Sequence, residues 1–237
     1  MKNGRFLVVN ADDFGMSQAV NRGIVEAHER GIVTSASLLG LWPGAGEAAA
    51  YAIRRPELGL GLHVDLGEWF WDGSEWRPVY ERVRLEDPSA IADEVDRQLR
   101  CFRELVGRDP THLDSHQHVH RQEPVRGVVL ALSKALGIPL RGCTEDVRYG
   151  GTFYGQSVQG EPLPGMITVE SLLGFLEDVP PGITELACHP GADDVPGPGY
   201  RAERAIETLT LCEPRVRAAI AERGIALCSF ADQRIFA

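Results

Sequence analysis

FLVVNADDFG, residues 6–15, opens on a nearly all-apolar run and stops at a polar turn holding two consecutive acids and a glycine. A short run without polar alternation reads as a strand, Phe6–Asn10, buried on both faces. Beyond the turn, Val20, Ile24 and Ala27 recur at helical spacing, Ser17 can cap their start and Gly31 can close their end. The first unit is therefore strand, loop, helix, with Asp12 and Asp13 at the carboxyl end of a buried strand.

Working outward, the unit recurs. Strands are expected over Val33–Leu39, Leu58–Val64, Thr111–His116, Leu140–Cys143, Glu185–Cys188 and Ala226–Phe230. Helices are expected over Ala45–Arg54, Ser89–Val106, Val125–Leu136 and Thr168–Leu176. Such alternation, seven expected strands interleaved with helices, implies a parallel sheet. The expected fold is α/β, an irregular (β/α) barrel of about seven parallel strands, TIM-barrel-like, with residues 1–237 as a single domain. An open doubly wound sheet is the runner-up, but no glycine-rich dinucleotide or phosphate loop follows the first strand. Two segments break the alternation, the aromatic-rich 68–85 and the Gly/Pro-rich 145–166, and each reads as a rim of the site. Within the first, WFWDGSEW (69–76) reads as a hairpin with an Asp-Gly turn. Its aromatics can stabilise the hairpin unaided or stack on sugar rings.

Composition narrows the class. Of 237 residues, 43% are hydrophobic and 24% charged, which excludes intrinsic disorder. The net charge of −10, without a Lys/Arg run, argues against nucleic acid or an anionic membrane as partner and favours a neutral or cationic substrate. No stretch approaches the ~18 apolar residues of a membrane span. Five scattered cysteines, with no C-x-x-C pair, argue against a disulfide framework. Together with a start lacking a signal-peptide pattern, they lead to the expectation of a cytoplasmic protein. A homodimer is left open.

The chemistry gathers at strand ends. Asp12, Asp13, His63, His116, His118, His120 and His189 all fall at or just beyond the carboxyl ends of expected strands, where a parallel barrel converges its side chains. A mixed histidine and carboxylate set suits a divalent ion, zinc or a harder ion such as magnesium. One of the paired aspartates could ligate it while the other takes a proton from water, although an aspartate can also simply favour a helix start. His63, in GLGLHVD (59–65), would by itself be a satisfied core histidine; only its companions lift it. THLDSHQHVH (111–120) cannot remain a strand, because a barrel interior does not absorb five polar side chains in succession. The strand must break near His116, leaving Asp114 as a supporting residue and His118 and His120 as rim or packing residues. His189, ahead of Pro190-Gly191, could donate a proton to a leaving amine or be structural.

These blocks, VNADDFG (9–15), GIVTS (31–35), GLH (61–63), THLDSHQHVH (111–120) and ELACHPG (185–191), together with Tyr200, Arg204 and Glu207, resemble the YdjC-like carbohydrate deacetylases, the family that includes chitooligosaccharide deacetylase and hopanoid-associated deacetylases. The resemblance runs in order over nearly the whole chain. It implies a barrel-like fold, one divalent ion held by Asp13, His63 and His116, Asp12 as general base, and removal of an N-acetyl group from an amino sugar or N-acetylated glycoconjugate. Asp114, His118 and Arg204 are the expected supporting or substrate-binding residues. The chain departs from the pattern in the two rims, which on this view choose the sugar. Two rivals stand beside this reading: another metal-dependent hydrolase on the same scaffold, such as an O-deacetylase or phosphoesterase, and a non-catalytic sugar-binding protein.

Overall fold

A computed structural model describes residues 4–195 and 200–232. Its centre is β1 (Arg5–Phe14), buried from Leu7 onward, whose side chains alternate between two faces as far as Asp12. Leu7, Val9 and Ala11 point into the main core beneath the helices, whereas Phe6 and Val8 join Val147, Ile183, Cys228 and Phe230 in a smaller apolar cluster. Above that cluster the same face turns polar at Asn10 and Asp12, both buried. The interior is thus apolar at the amino ends of the strands and polar at their carboxyl ends.

Around β1 lie β2 (Ser35–Leu38), β3 (Gly59–Val64) and β6 (Leu113–Ser115) on one side, and β8 (Gly182–Cys188) and β7 (Val147–Gly150) on the other, all parallel. The last strand, β9 (Ile225–Cys228), pairs with residues 5–8 of β1, while β2 pairs with residues 10–14, so the sheet forks along one edge of β1. Between β1 and β6 there are three strand spacings, about 14 Å if the sheet were flat. Yet the Asn10 amide donates to Asp114 of β6 at 3.3 Å. The sheet is therefore curled, a half-barrel consistent with the irregular barrel expected.

Helices cover its outer face: α1 (Gln18–Glu29), α2 (Ala45–Ile53), α3 (Pro88–Val106), α4 (Val125–Leu136), α5 (Val169–Glu177), α6 (Ala202–Cys212) and α7 (Pro214–Glu222). The Ser17 hydroxyl accepts from Val20 N–H, as expected of a cap, and Asp87 caps α3 at Ser89 and Ala90. An antiparallel hairpin, β4 (Gly67–Trp71) and β5 (Trp76–Glu81), stands out from the carboxyl end of β3, where its aromatic pattern and Asp-Gly turn placed it.

Three expectations need correction. Leu140–Cys143 is not a strand: Leu140 makes a single bridge to Leu113, and the chain turns at once. The strand of that region is β7, inside the segment read as a loop, because pairing with β8 supplies hydrogen bonds that its sequence does not announce. The turn at residues 11–15 is the bulged end of β1, its pairing with β2 shifting register between Ala11 and Phe14. Helices α6 and α7 went unread. The first lacks a side-chain cap, although Glu213 followed by Pro214 marks the start of the second.

Candidate functional site

In a regular strand consecutive side chains point to opposite faces, so Asp12 and Asp13 could not share a site. The bulge removes that obstacle. Asp13 has φ +68°, the left-handed region that aspartate tolerates better than most residues. The carboxylates of both then reach one constellation at the carboxyl ends of β1, β3 and β6. Gly15, φ +93°, completes the turn, and its N–H donates to buried Asn21 of α1 at 2.8 Å.

Around Asp13 the structure gathers His63, His116 and Arg204. Its Oδ1 lies 3.4 Å from His63 Nε2 and 3.1 Å from His116 Nδ1, and its Oδ2 accepts from Arg204 at 2.6 Å. Burial pushes the Asp13 carboxyl up, but Arg204 and His116 outweigh it and hold it well below the usual range. His63 is oriented from behind: its Nδ1 lies 2.7 Å from Asp114 and 3.1 Å from the Ser37 hydroxyl. Burial would lower its pKa, but Asp114 more than compensates, leaving it well above the histidine norm. His116 is likewise lowered by burial and raised by Asp13, to about 9 overall. Gln117 and His118 follow with φ of +51° and +55°, the break that ends the strand.

Asp12 sits beside this group in a different partnership. Arg141 grips both of its oxygens, at 2.5 and 2.7 Å, while also donating to Asp114 at 2.8 Å and Glu185 at 2.7 Å. One fully buried guanidinium thus links residues from β1, β6 and β8 across the mouth. Burial and neighbouring Asp114 raise the Asp12 carboxyl, but Arg141 wins and lowers it. His189, at the end of β8, has its Nε2 3.7 Å from Asp12 Oδ2. Its burial drives the imidazole pKa down to about 4, so it is neutral at rest.

The remaining expected residues fall outside this centre. His118 points to Tyr149, whose hydroxyl lies 3.2 Å from its Nε2. His120 is a brace, held between Ser115 Oγ at 2.6 Å and the Arg141 carbonyl at 3.0 Å. His112 stacks on Phe230, and a Cβ on Gly61 would meet its ring at 2.5 Å, so only glycine leaves room there. The sequence reading missed Arg141 and Glu185 as site residues. Glu185 carried a signal, an acid inside a buried apolar strand, which must find a cation.

The aromatic rim also meets the site. Glu68 of β4 places a carboxylate oxygen 3.9 Å from His116 Nε2, and Gln117 exchanges two hydrogen bonds with the Trp69 backbone, at 2.9 and 2.8 Å. Asp65 anchors the hairpin base through Gly67 N–H, Tyr80, Arg82 and Trp42.

A family model described as YdjC-like protein matches residues 6–222. The chain is 32% identical to the chitooligosaccharide deacetylase of Serratia marcescens, over 96% of this chain and 99% of that protein. It is 34% identical to the carbohydrate deacetylase of Geobacillus stearothermophilus, over 96% and 98%. Among solved structures, an Enterococcus faecalis protein provisionally assigned to cellobiose-phosphate cleavage superposes with a TM-score of 0.79 at 29% identity, covering 98% of this chain and 99% of that one. No helix among the described residues is long and apolar enough to cross a membrane.

Proposed function

The chain belongs to the YdjC-like family, and from that membership and its strand-end cluster we propose that it hydrolyses the N-acetyl group of an amino sugar or N-acetylated oligosaccharide, using a divalent ion held by Asp13, His63 and His116. Relatives named as chitooligosaccharide and carbohydrate deacetylases supply the substrate class. The observation that carries the reading is the junction of a three-residue ligand group with an adjoining carboxylate that Arg141 keeps ionised.

The residues present fit such an ion. One carboxylate oxygen and two imidazole nitrogens lie within 4.8 Å of one another, a donor set zinc accepts and magnesium could share with water ligands. The buried Nε2 of His116 has no hydrogen-bond partner among the described residues, and Asp114 stands behind His63 as carboxylates do behind metal-bound histidines. A second grouping, Asp12, His63 and Asp114, is a poorer home, because Arg141 already holds both carboxylates.

A bound ion supplies a polarised acetyl carbonyl and an acidified water. Asp12 accepts the proton as the water oxygen attacks the carbonyl carbon. Arg141 makes it an acceptor that is always ionised at neutral pH, though a weaker one than a free aspartate. His189 starts neutral, so it receives that proton from Asp12 and delivers it to nitrogen as the C–N bond breaks. Water has then been divided between acetic acid and the free amine.

The test is acetate release from N-acetylated mono- and oligosaccharides by purified protein, stripped of metal and reloaded in turn with zinc, magnesium and other divalent ions. Acetate and amine in equal amounts, restored by at least one ion, are the expected products. Acetate with a free hydroxyl, or phosphate, would reassign the enzyme to another hydrolase class. Saccharide binding with no turnover under any ion would make it a sugar-binding protein.

A further inference from the structure

One side of the mouth is walled by aromatic rings. Tyr154, between β7 and α5, lies flat against Tyr200, with centroids 4.8 Å and planes 7° apart, and meets His189 edge-on at 5.2 Å. Tyr200 is itself pinned: its hydroxyl donates to Glu207 and accepts from the Gly155 N–H at 2.8 Å. The ring beneath Tyr154 is therefore held at two points, and Tyr154 inherits its position. Yet Tyr154 retains 36% of its surface exposed. Its hydroxyl makes no hydrogen bond among the described residues. Burial and the nearby charge of Asp13 raise its pKa, keeping it a proton donor well beyond neutral pH.

We propose that Tyr154 is a further catalytic residue, whose hydroxyl donates a hydrogen bond to the acetyl carbonyl oxygen of the substrate. The inference rests on the deacetylase reading above. His189, whose Nε2 lies 3.7 Å from Asp12, flanks the ligand group, and the Tyr154 ring is packed against His189 and close enough to Asp13 to feel its charge. The donor is positioned by stacking and owes no hydrogen bond to the described residues, so it has none of these to break when charge gathers on that oxygen. Preorganised donors of this kind act mainly in the transition state. The competing role is purely structural, a ring that fills space between Tyr200 and His189, and phenylalanine would fill it equally well.

Tyr154→Phe separates the two, because it removes the hydroxyl and keeps the ring. The expected result is a fall in kcat of about 10²–10³-fold, with KM nearly unchanged and with normal metal content and melting temperature. An N-acetyl sugar and an aryl acetate ester should lose activity equally, since both pass through the same oxyanion. Tyr154→Leu, which removes ring and hydroxyl together, should lose no less. A Phe variant as active as wild type, with only the Leu variant impaired, would overturn the proposal in favour of packing. A loss confined to the amide would move Tyr154 to the leaving-group side, and a raised KM with unchanged kcat would reduce it to ground-state binding; either overturns the proposal. Wild-type protein that releases acetate from neither substrate sinks the deacetylase reading itself, whereas active wild type with an unaffected Phe variant sinks only this inference.

Discussion

Asp12 illustrates how far one partner sets a residue's chemistry. Burial at a strand end pushes its carboxyl up, and it is Arg141 that outweighs burial and holds it as an oriented carboxylate. Asp12→Asn removes the proposed proton acceptor but leaves Asp13, His63 and His116 untouched. Turnover should fall about 10²–10⁴-fold while metal stoichiometry stays at wild type. Arg141 keeps Asp114 and Glu185, so the structural cost is confined to one charge-assisted pair, about 1.5–3 kcal/mol. Acetate release and elemental analysis on the same preparation check both halves, and unimpaired turnover would remove the base from this position.

Elements position these residues by contacts that leave no slack. Gly23 of α1 packs on Gly191, two residues beyond His189, so closely that a Cβ would lie 2.3 Å from the Gly191 Cα. The Ala192 N–H also donates to Ala19 at 3.0 Å, fastening this loop to the helix. Alanine at Gly23 would gain about 1 kcal/mol of helix propensity but force two backbones apart, an overlap that typically costs about 1–3 kcal/mol. Gly23→Ala should therefore lower the melting temperature and slow turnover by displacing His189, with ion binding unchanged. Gly174→Ala in α5, where a Cβ meets nothing within 4 Å, is the matched control and should stabilise by about 0.5–1 kcal/mol. If both substitutions behaved alike in thermal melts, the close approach would not be what positions the loop.

Over the whole molecule, the buried titratable groups pull stability in two directions. His112, His118, His120 and His189 have pKa values driven by burial to about 4, 3, 4 and 4, so they stay neutral in the fold and take up protons only on unfolding. Their contribution is present above about pH 6.5 and is lost as pH falls. Glu185 and Glu207, raised by burial to about 7 and 8, act oppositely: their contribution is present below 4.5 and is lost as pH rises through those values. Between pH 4.5 and 6.5 two of the four histidine protons are thus offset, and stability should rise by about 2–3 kcal/mol per pH unit. Above pH 6.5 the raised pKa values of His63 and His116, the latter about 9, reverse the slope in metal-free protein. Urea midpoints in chelator should accordingly peak near pH 6.5, and a divalent ion, which needs neutral imidazoles, should lift the alkaline side. A steady climb from pH 4.5 to 9 in chelator would contradict these assignments.

The local record was legible. Apolar runs, helical spacing, caps and the Asp-Gly turn depend on near neighbours, so residues 6–15 already announced a buried strand ending in acids, and the strand-end rule collected Asp13, His63 and His116 from three separate segments. The strand break at His116 was legible too, because a curled interior cannot hold so many consecutive polar side chains. The partnerships were not. Residues 12, 114 and 185 meet at Arg141 only because the sheet curls, and curvature is the summed twist of many strands rather than a property of any one. For the same reason β7 formed where a loop was expected: a strand of four residues is stabilised by the neighbour it pairs with, and β8 lies more than thirty residues further along the chain. Whether two adjacent aspartates share a site or face opposite ways was likewise decided by a backbone bulge. Its left-handed turn at Asp13 is held by the packing of α1 and β2 against the end of β1, contacts that exist only once the chain has folded.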